Sequence, residues 1–256
     1  MKRFFWAPLW TLWEREVVRF LRQRGRVVGA LGTPVIFWLF IGSGVGEAFQ
    51  VSGPGEGTSY LQFFFPGTVL MIVLFTAIFS TISIIEDRRE GFLQGVLVAP
   101  VHPWAVALGK ILGGATLAFG QGLVFFALAP VVGLRLGWGE LVAGAGVLAL
   151  ASVALTALGF VFAWKSDSVQ GYHGIMNLVL FPLWLLSGAL FPRETAASWM
   201  AWVMSVNPLT YGLEGLRAAL VGGPIGAVWL GVGVLSGAGL ILTGLAAKMT
   251  AGSFGR

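Results

Sequence analysis

Apolar residues in this chain fall into long runs. Six of them, at roughly 27–46, 60–85, 111–134, 141–164, 174–191 and 225–247, contain no Asp, Glu, Lys or Arg. A helix needs about 20 residues to cross the hydrocarbon core of a bilayer, and a charge near its centre costs on the order of 2.5–3.5 kcal/mol. Each run is therefore predicted to be a transmembrane helix that inserts without an internal ion pair. The fifth is open to ending as a re-entrant turn at Phe191-Pro192. Ahead of the first run the period changes. Trp6, Leu9, Trp10, Trp13, Val17, Phe20 and Leu21 recur at three- and four-residue spacing, with Pro8 suited to a first turn. Arg15, Arg19, Arg22 and Gln23 take the opposite side. Tryptophans on one face and arginines on the other predict an amphipathic helix over 6–24 lying flat at the membrane surface. A soluble helix packed on a partner is the alternative.

Composition strengthens the membrane reading. Of 256 residues, 57% are hydrophobic and 11% charged, where soluble domains carry about 25% charged residues. The mean hydropathy is +0.86. Such an excess of apolar side chains does not fit inside one soluble core. Cys is absent, which excludes disulfide scaffolds, thiolate metal sites and Cys nucleophiles, and two His leave no His-rich metal centre. Glu14, Arg15 and Glu16 interrupt the apolar core a secretory signal requires, so no cleaved signal is expected.

Charge sets the orientation. A pI near 10.1 would suggest nucleic acid in a soluble protein, but here the basic residues sit between the apolar runs. Lys2, Arg3, the five arginines of 15–26, Arg88, Arg89, Lys110, Lys165, Lys248 and Arg256 share one side, against Arg135, Arg193 and Arg217 on the other. The positive-inside rule then puts both termini in the cytoplasm. Small-xxx-small pairs, Gly42 with Gly46, Gly109 with Gly113 and Gly233 with Gly237, allow close helix approach in lipid. None by itself marks a dimer interface, and there is no internal repeat of the secondary-transporter kind.

Residues 86–110 form the charged stretch between the second and third runs: Glu86-Asp87-Arg88-Arg89-Glu90-Gly91, then Phe92 through Pro100, then Lys110. Glu86 and Glu90 lie one turn apart, as do Leu93 and Leu97, which suits a short surface helix stopped by Pro100. A grip for another protein and a plain solvated loop fit this periodicity equally.

Glu86-Asp87-Arg88-Arg89-Glu90-Gly91, followed by Leu97-Val98-Ala99-Pro100-Val101 and Leu108-Gly109-Lys110, resembles the signature loop of type-2 ABC exporter permeases. These serve drug-resistance, lipo-oligosaccharide and polysaccharide export. Phe64-Phe65-Pro66-Gly67, Phe181-Pro182, Leu186 through Pro192, Asn207-Pro208-Leu209-Thr210-Tyr211 and Leu216-Arg217 are also similar to that family, in the same order. Phe92, Gln94 and His102 depart from its usual residues. The resemblance implies an all-α integral membrane protein forming one permease domain over 1–256. It has six transmembrane helices, the interfacial helix of 6–24, a cytoplasmic coupling loop over 86–100, and a re-entrant outer segment over 192–224.

It further implies that Glu86, Asp87, Arg88, Arg89, Glu90, Gly91, Phe92 and Leu93 form a coupling helix seated on a cytoplasmic ATP-binding subunit, with Phe92 and Leu93 as apolar anchors. Two such subunits would serve a pair of permease chains, a homodimer or a pair of close relatives, in a prokaryotic cytoplasmic membrane. ATP and Mg would bind the partner. The chain itself lacks a phosphate-binding loop: before its only Gly-Lys, Gly109-Lys110, Trp104 stands where the first glycine belongs, and Ile111 replaces the hydroxyl. No enzymatic activity, cofactor or metal site is expected of it.

In the outer segment Trp199, Trp202, Val203 and Val206 share a helical stripe, Asn207 and Pro208 start a second helix, and Glu214 with Arg217 is expected as an exposed pair. Polar residues within spans are functional suspects, yet Thr76, Ser80, Thr81, Gln121 and Asn177 are better read as links between helices. Because the family's second and fifth helices line its central path, the resemblance implies Phe75, Thr76, Phe79, Asn177 and Leu180 as path residues. Their aromatic and apolar character suits a hydrophobic, amphipathic or glycolipid-like cargo. An ion-coupled carrier or channel would need intramembrane carboxylates or a charged ring. A membrane-embedded enzyme would need a Ser–His pair or clustered acids. His102 and His173 have no partners at metal spacing.

Overall fold

The computed structural model describes residues 4–44, 59–134 and 136–254, and these are almost wholly helical. In chain order the α-helices are α1 (Trp6–Arg22), α2 (Arg24–Gly44), α3 (Tyr60–Arg89), α4 (Phe92–Val98), α5 (Pro103–Phe126), α6 (Trp138–Lys165), α7 (Val169–Ile175), α8 (Phe181–Trp184), α9 (Ser198–Val206), α10 (Pro208–Arg217) and α11 (Ile225–Ala251). Among the described residues six helical stretches are long and apolar enough to cross a membrane. They match the six apolar runs. The fifth is composite: wide π turns, Met176–Leu180 and Leu185–Ala189, follow α7 and α8. It breaks at Leu186 and Gly188, whose φ is +89°, a few residues before the expected Phe191-Pro192 turn.

Helix α3 is the axis of the bundle. In its most apolar window 89% of residues are buried, against 22% in α2 and in α11. It packs on α2, α5 and α6, and its start is fixed by a capping box in which Ser59 and Gln62 bond each other's backbone. Lipid tails are as apolar as leucine, so van der Waals packing rather than water exclusion holds such helices together. That favours small residues where backbones cross. A Cβ on Gly109 would stand 2.9 Å from the Leu9 carbonyl oxygen, and one on Gly113 only 2.7 Å from Glu16 Cβ. The Gly109–Gly113 pair is thus the seat of α1 on α5. Gly42 faces Leu61 of α3, while Gly233 and Gly237 meet nothing within 4 Å.

A second, smaller core forms at one end of the bundle. Leu12, Leu93 and Val106 are buried there, with Phe92, Val96, Leu97, Val101, Trp164 and Phe254 packed around them. Both described ends of the chain, α1 and the residues after α11, therefore lie with α4 at the same end. A parallel bridge between Phe4 and Val101 adds to it. Lys2, Arg3, Arg135, Arg256 and Gly46, used in the charge count and the glycine pairs, lie outside the described residues.

Two sequence expectations need correction. Glu86 through Arg89 are the last turn of α3, and Lys110 sits inside α5, so residues 86–93 are not one surface helix. A helix continues past its apolar stretch because its backbone hydrogen bonds do not depend on side-chain hydropathy. The α1 arginines are also not a free polar face: Arg15 and Arg19 turn onto carboxylates of α3.

Candidate functional site

Four helices bring their charges together beside the small core. Asp87, fully buried, accepts hydrogen bonds from Arg15 at 2.6 and 2.9 Å and from Arg19 at 2.6 Å. Lys110 Nζ lies 2.5 Å from Asp87 and 2.6 Å from Glu16. Ser83 donates to the other Glu16 oxygen at 2.5 Å. Glu86 accepts from Arg19 at 2.9 Å and from Arg26 of α2. The network ties α1, the start of α2, the end of α3 and the start of α5 into one unit. The hydrogen bonds it donates to Asp87 hold the Arg15 guanidinium above the usual arginine range. Burying so many ions costs several kcal/mol each before pairing. The network therefore fixes one arrangement of helices more than it adds stability.

The end of α3 continues into the turn of Glu90 and Gly91. Gly91 has φ +79°, a left-handed conformation that a Cβ would strain, and it starts α4 in a new direction. Arg88 turns away from the other α3 charges: it lies 4.0 Å from the exposed Asp167 and donates to the carbonyl oxygens of Trp164 at 2.5 Å and Ser166 at 3.3 Å. It thereby caps the last turn of α6, where a cation suits the helix dipole. Phe92 lies under Arg15, whose guanidinium carbon is 3.7 Å from the ring centroid. Leu93 is buried in the small core. Of the eight predicted coupling residues, Glu86, Asp87, Arg88 and Leu93 thus serve contacts within the chain, Gly91 and Phe92 are half-buried, and Arg89 and Glu90 are exposed. The outward surface is completed by Gln94, Gly95 and Val98, the last 86% exposed. Beside it a groove of about 410 Å³ runs between α1 and α4, lined by Phe4, Pro8, Thr11, Phe92, Val96 and Pro100 among others.

At the opposite end the remaining motifs interlock. Asn207 caps α10, accepting from the Leu209 N–H at 2.9 Å, as expected. Its amide donates to the carbonyl oxygens of Leu183 and Leu186, at 2.6 and 3.0 Å. Trp184 donates to the Gly67 carbonyl oxygen at 2.8 Å, and Tyr60 to that of Leu190 at 3.1 Å. Arg217 and Glu214 are not an exposed pair. Arg217 turns inward, donating to the Gly188 carbonyl oxygen at 3.0 Å with its guanidinium 4.1 Å from the Phe63 ring centroid. Asn207, Tyr60 and Arg217 thus supply donors to carbonyls around the break in the fifth span, while Trp184 of that span donates outward to α3. Trp199, Trp202 and Val206 of α9 are exposed.

The five predicted path residues separate. Thr76 is buried and donates to Gln121 of α5 at 2.6 Å, a link between helices. Leu180 is fully buried. Phe75 and Phe79 are half-buried and Asn177 is exposed. Thr81 likewise links to Tyr172 at 2.6 Å. His102 Nδ1 accepts from the Trp104 N–H at the start of α5, and His173 meets the edge of Phe79. Among the described residues no group of His, Asp and Glu is placed to hold a metal.

Sequence reasoning missed Glu16, Ser83 and Lys110 as members of the charged unit. The legible sign was Glu16 itself, which stands four residues from Leu12 and from Phe20 on the buried stripe of α1. A carboxylate there requires a buried cation, and nothing local said which.

Six candidate spans, a charged finger between the second and third and a broken fifth span describe a multi-pass membrane protein. The chain belongs to the ABC-2 type transporter family, whose model matches residues 8–221. Nodulation protein J of Rhizobium leguminosarum bv. viciae is 26% identical over 227 residues, 88% of this chain and 86% of that protein. The inner membrane transport permease YadH of Escherichia coli K12 is 24% identical over 232 residues, 87% of this chain and 86% of its own length. A transport permease of Cyanophora paradoxa, ycf38, is 25% identical over 217 residues, 84% of this chain and 74% of that protein. This is accordingly a multi-pass membrane protein and the transmembrane subunit of an ABC transporter. It is not itself an enzyme; in this family ATP hydrolysis lies in a separate subunit.

Proposed function

We propose that this permease lies in the cytoplasmic membrane of a prokaryote, with both termini and α4 in the cytoplasm and α1 in the membrane surface. Two copies pair as a homodimer, each seated on an ATP-binding subunit that carries ATP and Mg. The pair exports a hydrophobic, amphipathic or glycolipid-like compound. The observation that carries this reading is the charged unit around Asp87. Force applied at α4 reaches α3 through a two-residue turn, and α3 is locked by ion pairs to α1, α2 and α5. A push on α4 therefore tilts those helices together, which is what switching a cavity from inward to outward access requires.

The docking surface for the partner is the outward side of α4, with Arg89, Glu90, Gln94 and Val98, together with the adjoining groove. Val98 takes the role of apolar anchor that Leu93 is too buried to play. The pairing surface is the side carrying α2 and the fifth span, where Ile36, Leu39, Phe40 and Leu178 are exposed. Phe75 and Phe79, half-buried, and Asn177, exposed, would line a path between two copies. The hairpin of α9 and α10 re-enters the outer leaflet and closes the exit, its exposed tryptophans at the interface.

Reconstitution tests the reading. Co-expressed with an ATP-binding subunit encoded beside it, the chain is expected to co-purify as a two-plus-two complex whose ATP hydrolysis drives cargo out of the cytoplasmic side of vesicles. Nucleotide hydrolysis by the permease alone, or ATP-independent transport driven by an ion gradient, would overturn it.

A further inference from the structure

Every residue of α3 from 63 to 85 is buried except Phe75 and Phe79, which lie one turn apart and are half-buried. The fifth span runs antiparallel beside α3 in a fixed register. Thr81 bonds Tyr172, the Phe79 ring meets His173, Trp184 donates to the Gly67 carbonyl oxygen and Tyr60 to that of Leu190. Each step back along α3 is thus matched by a step forward along the fifth span, which sets Asn177 level with Phe75. Gln170, His173 and Asn177 share one face of that span, at helical spacing.

Helix α2 forms the other flank. A Cβ on Gly29 would stand 3.9 Å from the Phe79 ring, and Phe37 meets the rings of Phe64 and Trp184 at centroid separations of 6.4 and 6.1 Å. Thr33 lies between Gly29 and Phe37 on the same stripe, about one turn from each. A cleft over α3 therefore runs between α2 and the fifth span. Phe75 and Phe79 are its floor, and Phe37 with Trp184 seals the end away from α4. Thr33 and Asn177 are both exposed near the middle of their spans, and neither side chain has a hydrogen bond among the described residues. A bare amide or hydroxyl in hydrocarbon is costly, so a polar occupant belongs between them. The cleft residues include no Asp, Glu, Lys or Arg, and at the foot of α2 and α3 Arg26 is already paired with Glu86. An ionic headgroup would sit there without a counter-charge. Hydroxyls, which both donate and accept, match Thr, His, Asn and Gln.

We propose that this cleft recognises the cargo and takes an amphiphile whose headgroup is uncharged and rich in hydroxyls, of the glycosyl type. The inference rests on the reading of the chain as an exporter and names what its site selects. The apolar side of a sugar ring suits the faces of Phe75 and Phe79. Its hydroxyls bond Thr33, His173 and Asn177, with Gln170 at the mouth, and its tail leaves sideways between α2 and the fifth span into lipid. Thr33, His173 and Asn177 are then specificity-determining residues, which discriminate against cationic and anionic amphiphiles of the same tail length.

The test uses the whole chain in lipid nanodiscs and dodecyl maltoside carrying a photoreactive group beside its headgroup, at concentrations that leave the bilayer intact. Mass spectrometry locates the label, and dodecyl maltoside, dodecyl phosphate and dodecyltrimethylammonium compete for the site. Label is expected around Thr33 and Asn177, displaced by the maltoside and not by either ion. Thr33→Val with Asn177→Leu is expected to weaken labelling about ten- to a hundredfold with the thermal midpoint unchanged. Asn177→Asp is expected to reverse the preference, so that dodecyltrimethylammonium competes best. Equal displacement by all three amphiphiles, or unchanged labelling of the folded double variant, would overturn the proposal. So would a double variant that splits a pair of chains while labelling persists, since the polar face would then be a contact between copies. Export is scored separately on the reconstituted complex. Labelling without ATP-driven export would overturn the exporter reading, whereas export without labelling would overturn the cleft alone.

Discussion

Lys110 of α5 stands 2.5 Å from Asp87 at the end of α3, and solvent reaches almost nothing of either side chain. The same ammonium is 2.6 Å from Glu16 of α1. One cation thus joins α1, α3 and α5. Replacing it leaves Glu16 with Ser83 and the more distant Arg15, and takes one of three cations from Asp87. Lys110→Met is expected to destabilise the purified chain by about 3–5 kcal/mol, read as a lower midpoint in detergent. Adding Glu16→Gln is expected to recover part of that loss, since the buried carboxylate left with the weakest pairing is then neutral. A single variant as stable as the parent would remove the network from the account.

Arg217 and Gly188 make the corresponding joint at the other end. Arg217→Met removes a charge-assisted hydrogen bond worth roughly 1.5–3 kcal/mol, along with its contact on Phe63. Amide exchange over residues 186–210 is expected to speed up about ten- to a hundredfold, while α4 and the start of α5 keep their protection. Uniform loosening of the whole chain would show that Arg217 does not act locally.

The exposed and buried residues of the coupling stretch are expected to fail in different ways. Arg89→Glu with Val98→Asp changes only surface positions, so thermal stability should hold while the ATP-binding subunit no longer co-purifies. Leu93→Ala should do the reverse, costing about 2–5 kcal/mol of stability through the cavity left in the small core. If both variants lost stability equally, the division of this stretch into an outward and an inward side would be wrong.

Thr76 and Phe79 separate a structural role from a transport role within the spans. Thr76→Val breaks the bond to Gln121 and should cost about 0.6–1.7 kcal/mol, with cargo preference unchanged. Phe79→Ala should alter cargo selectivity, or the rate of ATP-driven transport, in proteoliposomes. A change of cargo preference in Thr76→Val would place that residue on the path after all.

Much of the fold was legible in the chain because lipid imposes a one-dimensional rule. A stretch such as residues 141–164 must be helical and must span, whatever surrounds it, since a bare backbone has no partner in hydrocarbon. The cap at Asn207 and the start at Pro208 were legible for a similar reason: both act on their own backbone. The coupling stretch was legible as charged, but not in its division of labour. Glu86, Asp87 and Arg88 look as available to a partner as Arg89 and Glu90. Only the placement of α1, α5 and α6 around them shows that the first three are already engaged.

The same distinction holds for the molecule as a whole. The order of residues by itself determined six crossings, an amphipathic helix ahead of them and the absence of a phosphate-binding loop, because hydropathy, periodicity and motif spacing are local properties. Tertiary structure decided that Glu16, Asp87 and Lys110 meet, that Arg217 reaches Gly188, and that Leu93 faces inward while Val98 faces out. Those relationships join positions many residues apart. They are set by which helices pack side by side, as where Gly109 and Gly113 let α1 settle on α5.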